Sequence, residues 1–225
     1  MSNLIDTTEM YLKTIFELEE DSVAPLRARI VERLGHSGPT VSQTVGRMER
    51  DGLLSVRSDR QLTLTPQGRK LATSVMRKHR LAERLLLDVL KMDQRKVHDE
   101  ACRWEHVISD EAESQLIAVL EDPRFDPFGN PIPLLEGALE ETSLAAPGTA
   151  LEDVQIDEQP REVVVNRIGE PVQGNPKAIA LLLKVGAVPG AKVKLFREGE
   201  NILISAPQGT IEVTELLGRH LFVDA

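Results

Sequence analysis

Apolar residues recur at helical spacing from Thr7 to Glu20, with Met10, Tyr11, Ile15 and Leu18 on one side and Thr7 or Thr8 offered as N-cap. A second helix is predicted in "PLRARIVERLG", where Pro25 stands near the start, Gly35 closes it, and Leu26, Ile30, Val31 and Leu34 form the inner face. After the break "HSG", "PTVSQTVGRMERDG" resumes the helical period, burying Val41, Val45 and Met48 and ending at Gly52. Two short helices joined by a tight glycine-containing turn match a helix-turn-helix. The period then changes to two: "LLSVRSDRQLTLTPQG" alternates around Leu62 and Leu64 and predicts a hairpin, which completes a winged helix.

Helical spacing returns from Leu71 to Leu90, with Leu71, Val75, Met76, Leu81, Leu85 and Leu86 as packing positions, and again, with room for one break, from Arg95 to Leu120. The Pro- and Gly-rich stretch from residue 121 to 153 ends these patterns and reads as a strap followed by a flexible linker. Beyond it, "REVVVNRIG", "AKVKLFREGE", "NILISA" and "GTIEVTE" are short strand patterns with "PKAIALLLKVG" as a helix among them, which predicts a small β-barrel.

At 225 residues the chain exceeds a usual single domain, so two or three small domains are expected. No apolar run approaches the roughly 20 residues that span a bilayer, so no membrane partner is expected. "MSNLIDTTEM" lacks the basic flank and apolar segment of a secretory leader, and a cytoplasmic location is expected. Cys102 is the single cysteine, so it forms no internal disulfide and is structural, reactive or a ligand. The net charge of -9 argues against nonspecific coating of nucleic acid, yet the average conceals an asymmetry. Residues 27–70 hold nine basic against four acidic residues, and residues 78–140 hold eight against fourteen. A basic, phosphate-facing segment is thus joined to an acidic one that suits cations or self-association.

In a winged helix the second helix enters the major groove by its N-terminal end, which places Ser37, Pro39, Thr40, Ser42, Gln43 and Thr44 toward DNA. Arg27, Arg47, Arg50 and Arg60 would anchor phosphates. Helix starts favour Ser, Thr and Pro in any protein and arginine runs are commonly solvated, so the DNA reading rests on element order and local charge agreeing.

The acidic segment contains "HDEACRWEHVISDE", in which His98, Cys102, Glu105 and His106 follow at spacings of four, three and one. On a continuous helix these form one stripe, and thiolate, carboxylate and imidazole at such spacing can converge on a transition metal. His79 and Glu83 make a second pair, four apart. Taken singly, each is explained as a small core cysteine, a solvated acid or a surface histidine. A Cys102–His106 nucleophile and base would need an oxyanion hole that no neighbouring pattern offers, and "HExxH", "GxSxG" and a phosphate-cradling glycine loop are absent, so no enzyme is expected.

From about residue 3 to 133, "LIDTTEMYLKTIFELEE", "PLRARIVERLGHSGPTVSQTVGRMERDGLL", "VMRKHRLAERLL", "VHDEACRWEHVISDE" and "PFGNPIP" closely resemble the iron-dependent repressors of the diphtheria toxin repressor family. The resemblance implies an Fe(II)-activated homodimer that binds palindromic operator DNA, two dimers per operator, and represses iron-uptake and siderophore genes. It implies two ions per subunit, for which Co, Ni, Mn or Zn substitute in vitro. Met10, Cys102, Glu105 and His106 fall on the family's regulatory site, and His79, Glu83 and His98 on its ancillary site, so His98 leaves the stripe. Glu170 and Gln173 of "GEPVQG" match the ancillary ligands of the third domain, and Thr7 falls where the first turn relaxes against DNA. The family's manganese-sensing branch has carboxylates where this chain has Met10 and Cys102, and sulfur ligands favour Fe(II) over Mn(II). The implied fold is mainly α with β. It comprises a winged helix-turn-helix (1–73), a helical dimerisation and metal-binding domain (74–140), a linker (141–150) and an SH3-like β-barrel (151–225). A manganese-responsive or metal-independent winged-helix regulator is the alternative.

Overall fold

The computed structural model describes residues 6–121, 123–134 and 146–224. These fall into two compact units, one of residues 6–82, 101–121 and 132–134, the other of residues 83–100, 123–131 and 146–224.

The first unit opens with α1 (Thr7–Glu20), α2 (Arg27–Leu34) and α3 (Gly38–Arg50), followed by the antiparallel hairpin of β1 (Leu54–Val56) and β2 (Leu62–Leu64). Asp6, not Thr7 or Thr8, caps α1: its Oδ1 accepts from the Thr8 and Glu9 amides at 2.7 and 3.3 Å. Ser37 caps α3, accepting from the Thr40 amide, with Pro39 in the first turn. Tyr11, Leu12, Ile15, Ile30, Val41, Val45 and Met48 interlock with Leu54 and Leu62 in one fully buried cluster. Val31 and Leu34 pack on its edge. At about 1.5–3 kcal/mol per buried large apolar side chain, this cluster fixes α3 against α1 and the hairpin.

The next helix, α4 (Pro66–Arg84), starts before the expected Leu71, because Pro66 suits a first turn and Thr65 Oγ1 accepts from the Gly68 amide. Leu71, expected to pack, is exposed, whereas Val75, Met76 and Leu81 are buried. A β-carbon at Gly68 would lie 1.8 Å from the Leu53 carbonyl oxygen, so only glycine lets α4 pass so close to the hairpin. Arg80, wholly buried, donates to both carboxylate oxygens of Glu20 at 2.9 and 2.5 Å.

After α4 comes a wider turn, Leu85–Val89, closed by the Leu90 amide on the Leu85 carbonyl. The helical pattern from Arg95 to Leu120 is two helices, α5 (Gln94–Trp104) and α6 (Asp110–Val119). The break falls at residues 105–109, where Ser109 caps α6 by accepting from the Ala112 amide. Glu105 and His106 therefore stand in the turn after α5, and the single helical stripe expected for them with Cys102 is not formed.

The second unit holds a six-stranded antiparallel sheet in the order β3-β8-β4-β5-β6-β7. Its elements are β3 (Thr149–Ala150), β4 (Arg161–Ile168), α7 (Glu170–Gln173), α8 (Pro176–Val185), β5 (Lys192–Glu198), β6 (Asn201–Ala206), β7 (Gly209–Glu212), α9 (Glu215–His220) and β8 (Leu221–Val223). The four strand patterns and the helix read from sequence match β4 to β7 and α8, while β3, α7, α9 and β8 carried too few residues to show a period. Residues 141–145 of the expected linker lie outside the described residues, and so do residues 135–140. Thr149 and Ala150, expected as linker, pair with Val223 and Phe222.

The proline-rich strap packs in this unit. Phe128 is fully buried and its carbonyl accepts from the Ile168 amide at 2.8 Å, while Asn130 Nδ2 donates to Asp126 Oδ2 and to the Ile168 carbonyl. Gly129 has φ +86°, and a β-carbon there would meet the Asn166 carbonyl at 2.2 Å. Arg167, beneath the strap, stacks its guanidinium 3.3 Å over the Phe222 ring.

Candidate metal centres and nucleic-acid interface

Ser37, Pro39, Thr40, Ser42, Gln43, Arg47, Arg50, Arg60 and Thr7 are all exposed, and Arg27 and Thr44 are half-buried. An open concavity of about 770 Å³ is lined by Asp6, Thr7, Thr8, Gln43, Thr44, Arg47 and Arg50. The start of α1 and the outer face of α3 thus share one surface, tied by Arg47 Nη2 donating to Thr8 Oγ1 at 3.3 Å. Arg60 projects from the hairpin tip with φ +70°, a backbone conformation rare for a side chain of its size. Hydroxyls, an amide and guanidinium groups around a concave basic surface suit phosphates and base edges.

The same α1 carries charge into the interior. Lys13 is 6% exposed, and its Nζ lies 2.9 Å from Glu105 Oε2, 3.0 Å from His79 Nδ1 and 3.6 Å from Cys102 Sγ. His79 Nδ1 is also 2.6 Å from Glu105 Oε2. That nitrogen can donate to Glu105 or accept from Lys13, not both, so the Lys13–Glu105 ion pair is the fixed element. Burial alone would push the Glu105 carboxyl up, but the charges and hydrogen bonds of Lys13 and His79 outweigh it and hold the group down at about 2. His106 Nε2 is 3.4 Å from Glu105 Oε1, and its Nδ1 is 2.6 Å from Glu9 Oε2. The Glu9 hydrogen bond raises the His106 pKa, with burial opposing.

Three of the four residues expected at the regulatory site, Cys102, Glu105 and His106, are therefore gathered here, and Met10 stands half-buried on α1 beside Glu9. His79, expected at the ancillary site, is in direct contact with Glu105. Lys13 and Glu9 were not foreseen. The available signal was Lys13 itself, a charged residue set in the otherwise apolar "YLKTIF" and four positions after Glu9. A half-buried thiol and a buried carboxylate and imidazole around one ammonium ion form a pocket already arranged for positive charge, and their donor types suit a transition metal.

The second unit contains a cluster of its own residues. His98 Nδ1 lies 3.3 Å from Glu83 Oε1, 3.2 Å from Glu170 Oε2 and 3.1 Å from Gln173 Oε1. Ligand atoms of Glu83, His98 and Glu170 lie within 4.8 Å of one another. Glu83, Glu170 and Gln173 are buried, and Gln173 Nε2 is held by the Ile168 carbonyl at 2.7 Å, the same oxygen that accepts from Asn130. The Ile168 carbonyl thereby holds the Gln173 amide with its oxygen toward His98. Two buried carboxylates, an amide oxygen and an imidazole are the oxygen and nitrogen donors that suit a divalent cation. His79 precedes Glu83 by one turn on α4.

Two family models match the chain: "Iron dependent repressor, N-terminal DNA binding domain" over residues 3–62, and "Iron dependent repressor, metal binding and dimerisation domain" over residues 65–134. The diphtheria toxin repressor of Corynebacterium diphtheriae is 51% identical over 225 residues, covering 100% of this chain and 99% of that protein. The iron-dependent repressor IdeR of Mycobacterium tuberculosis is 55% identical over 198 residues, covering 86% of this chain and 85% of that protein. Among solved structures, a manganese-dependent transcriptional repressor in complex with manganese superimposes with a TM-score of 0.77 at 26% identity, over 97% of this chain and 99% of that one. A winged helix with a basic face and a buried, cation-adapted donor set behind it thus coincide with the matched segments, and the chain belongs to the iron-dependent repressor family typified by the diphtheria toxin repressor.

Proposed function

We propose that this protein is an Fe(II)-activated, homodimeric transcriptional repressor of iron-uptake and siderophore genes, acting in the cytoplasm on palindromic operators bound by two dimers. Its domains follow the divisions 1–73, 74–140, 141–150 and 151–225, with Thr149 and Ala150 of the linker taken up by the sheet and the last domain an SH3-like barrel, a reading supported by the antiparallel sheet and the strap seated on it. Met10, Cys102, Glu105 and His106 would hold the regulatory ion, and His79, Glu83, His98, Glu170 and Gln173 the ancillary one. When bound, the ions supply double positive charge and directional bonds to groups otherwise held by Lys13, Glu9 and one another.

The single observation that carries this reading is the cation pocket formed around Lys13 Nζ by Cys102, His79 and Glu105. It joins α1, whose first turn lines the DNA-facing concavity, to the segment after α5. Residues of this pocket can therefore bias the position of Thr7 and Thr8 against the phosphate backbone. In a homodimer the same bias sets the separation of two α3 helices, which must meet major grooves about 34 Å apart. A ligand acts on such an equilibrium only through tighter binding to the DNA-competent arrangement. Sulfur from Met10 and Cys102 supports iron over manganese.

Anaerobic selection from randomised duplexes tests the proposal. A palindromic sequence should be enriched with Fe(II) and lost with chelator. Equal recovery of the same sequence in both conditions would refute metal activation.

A further inference from the structure

We propose that in the metal-free protein the Lys13 ammonium is the resident cation of the regulatory donors Cys102 and Glu105, with His79 of the ancillary set as its third contact, and that its displacement sets the metal concentration at which the Cys102 site fills. The inference rests on reading this pocket as metal-binding, and it adds an affinity-setting residue that donates no ligand atom.

The geometry makes the two cations mutually exclusive. Bonds from a transition metal to sulfur, nitrogen and oxygen are about 2.0–2.3 Å long. The Lys13 Nζ lies 2.9, 3.0 and 3.6 Å from the same three kinds of donor, so it stands in the space where such bonds would converge. Side chains packed around it leave Lys13 6% exposed. A buried ammonium is tolerated only when paired, and Glu105 supplies the pair. The donor set is thus neutralised internally, and α1 is docked to the segment after α5 without any metal.

An incoming dication meets this arrangement with two penalties. It is repelled by a like charge at contact distance, and it must break the Lys13 contacts before it can use the donors. Lysine suits such a role, because its charge sits at the end of a flexible stem that can swing clear, unlike the planar fork of arginine. Glu9 and Glu17 stand one turn before and after Lys13 on α1; Glu17 already takes Arg33, so Glu9 is the acid we assign to the released ammonium. A Lys13–Glu9 pair would withdraw Glu9 from His106 Nδ1, so that freeing the pocket and freeing His106 become one event. Affinity is then the difference between what the donors gain from the metal and what they lose with Lys13, a threshold that one residue can tune.

Full-length protein stripped by chelator is titrated anaerobically with Co(II), following the sulfur-to-cobalt absorption that Cys102→Ala should abolish. Lys13→Leu removes the charge and adds no donor atom, and Lys13→Gln is read in the same way should the Leu variant fail to fold by circular dichroism. The neutral variant should bind Co(II) about tenfold or more tightly at the Cys102-dependent signal. Its metal-free form should also melt at lower temperature than wild type, with the gap closing on Co(II) addition. A Cys102-dependent signal of unchanged or weaker affinity in the neutral variant would overturn the inference and leave the metal pocket standing. Absence of that signal in wild type and variant alike would remove both.

Discussion

Replacing Glu105 with glutamine should reveal how much the metal-free pocket contributes to the fold. The amide keeps the shape of the side chain but removes the charge that faces Lys13 Nζ at 2.9 Å and His79 Nδ1 at 2.6 Å. Holding the Glu105 carboxyl at about 2 against an ordinary 4.5 corresponds to about 3 kcal/mol of folded-state stabilisation. Leaving Lys13 buried without its anion puts the loss in the same range, roughly 3–5 kcal/mol. The sign follows from the depressed pKa. The contribution is complete above about 4.5, where the unfolded carboxyl is ionised, and fades as pH falls through about 2, where the folded one is protonated. Urea unfolding in chelator, followed by Trp104 fluorescence, reads the adjacent segment directly, since this is the single tryptophan. Glu105→Gln should be less stable than wild type by about 3 kcal/mol at pH 7, and the difference should shrink steadily below pH 4.5. A difference under about 1 kcal/mol at pH 7, or one that does not change with acid, would refute the pairing.

Arg47→Ala, at the exposed surface beside Thr8, should weaken binding to all duplexes alike and lower the salt slope by about one, read by fluorescence anisotropy across a potassium chloride series. An unchanged slope would place Arg47 off the phosphates. Gly68→Ala brings a β-carbon to 1.8 Å from the Leu53 carbonyl, so α4 and the hairpin must part, at a cost of about 1–3 kcal/mol or more in thermal unfolding, and a melt equal to wild type would deny that approach.

The DNA-binding end was legible because each of its signals is local. Pro25, Gly35, Ser37, Pro39 and Gly52 punctuate the chain within one turn of where the helices begin and end, and Val41, Val45 and Met48 keep a clean period on α3. The error at the start of α1 was a choice among neighbours. Asp6, Thr7 and Thr8 can all cap, and Asp6 prevails because its carboxylate reaches two amides. The break between α5 and α6 was also written locally, in the "SDE" after "VI", with Ser109 as cap and three acids in the first turn of α6. One break is allowed between Arg95 and Leu120, but the spacing of His98, Cys102, Glu105 and His106 hides its position, because a stripe presupposes a continuous helix.

What spacing could not reach was the assignment of each donor to a centre. His79 and Glu83 are four apart on α4 and read as one pair, and spacing alone does not show that the His79 ring also lies against Glu105, 26 residues on, while Glu83 meets His98. Periodicity tells which face of a helix turns inward; it carries no information about which charge waits there. Lys13 illustrates the point more sharply, because its partners lie 66 and 92 residues away and lysine is not among the residue types sought as metal ligands. A search for donors finds Cys102, Glu105 and the histidines and leaves their charge unbalanced, whereas a buried anionic set must be balanced by some cation in every state of the protein. Asking what neutralises the donors when no metal is bound leads directly to Lys13, and makes the metal-free state a defined structure rather than the mere lack of the metal-bound one.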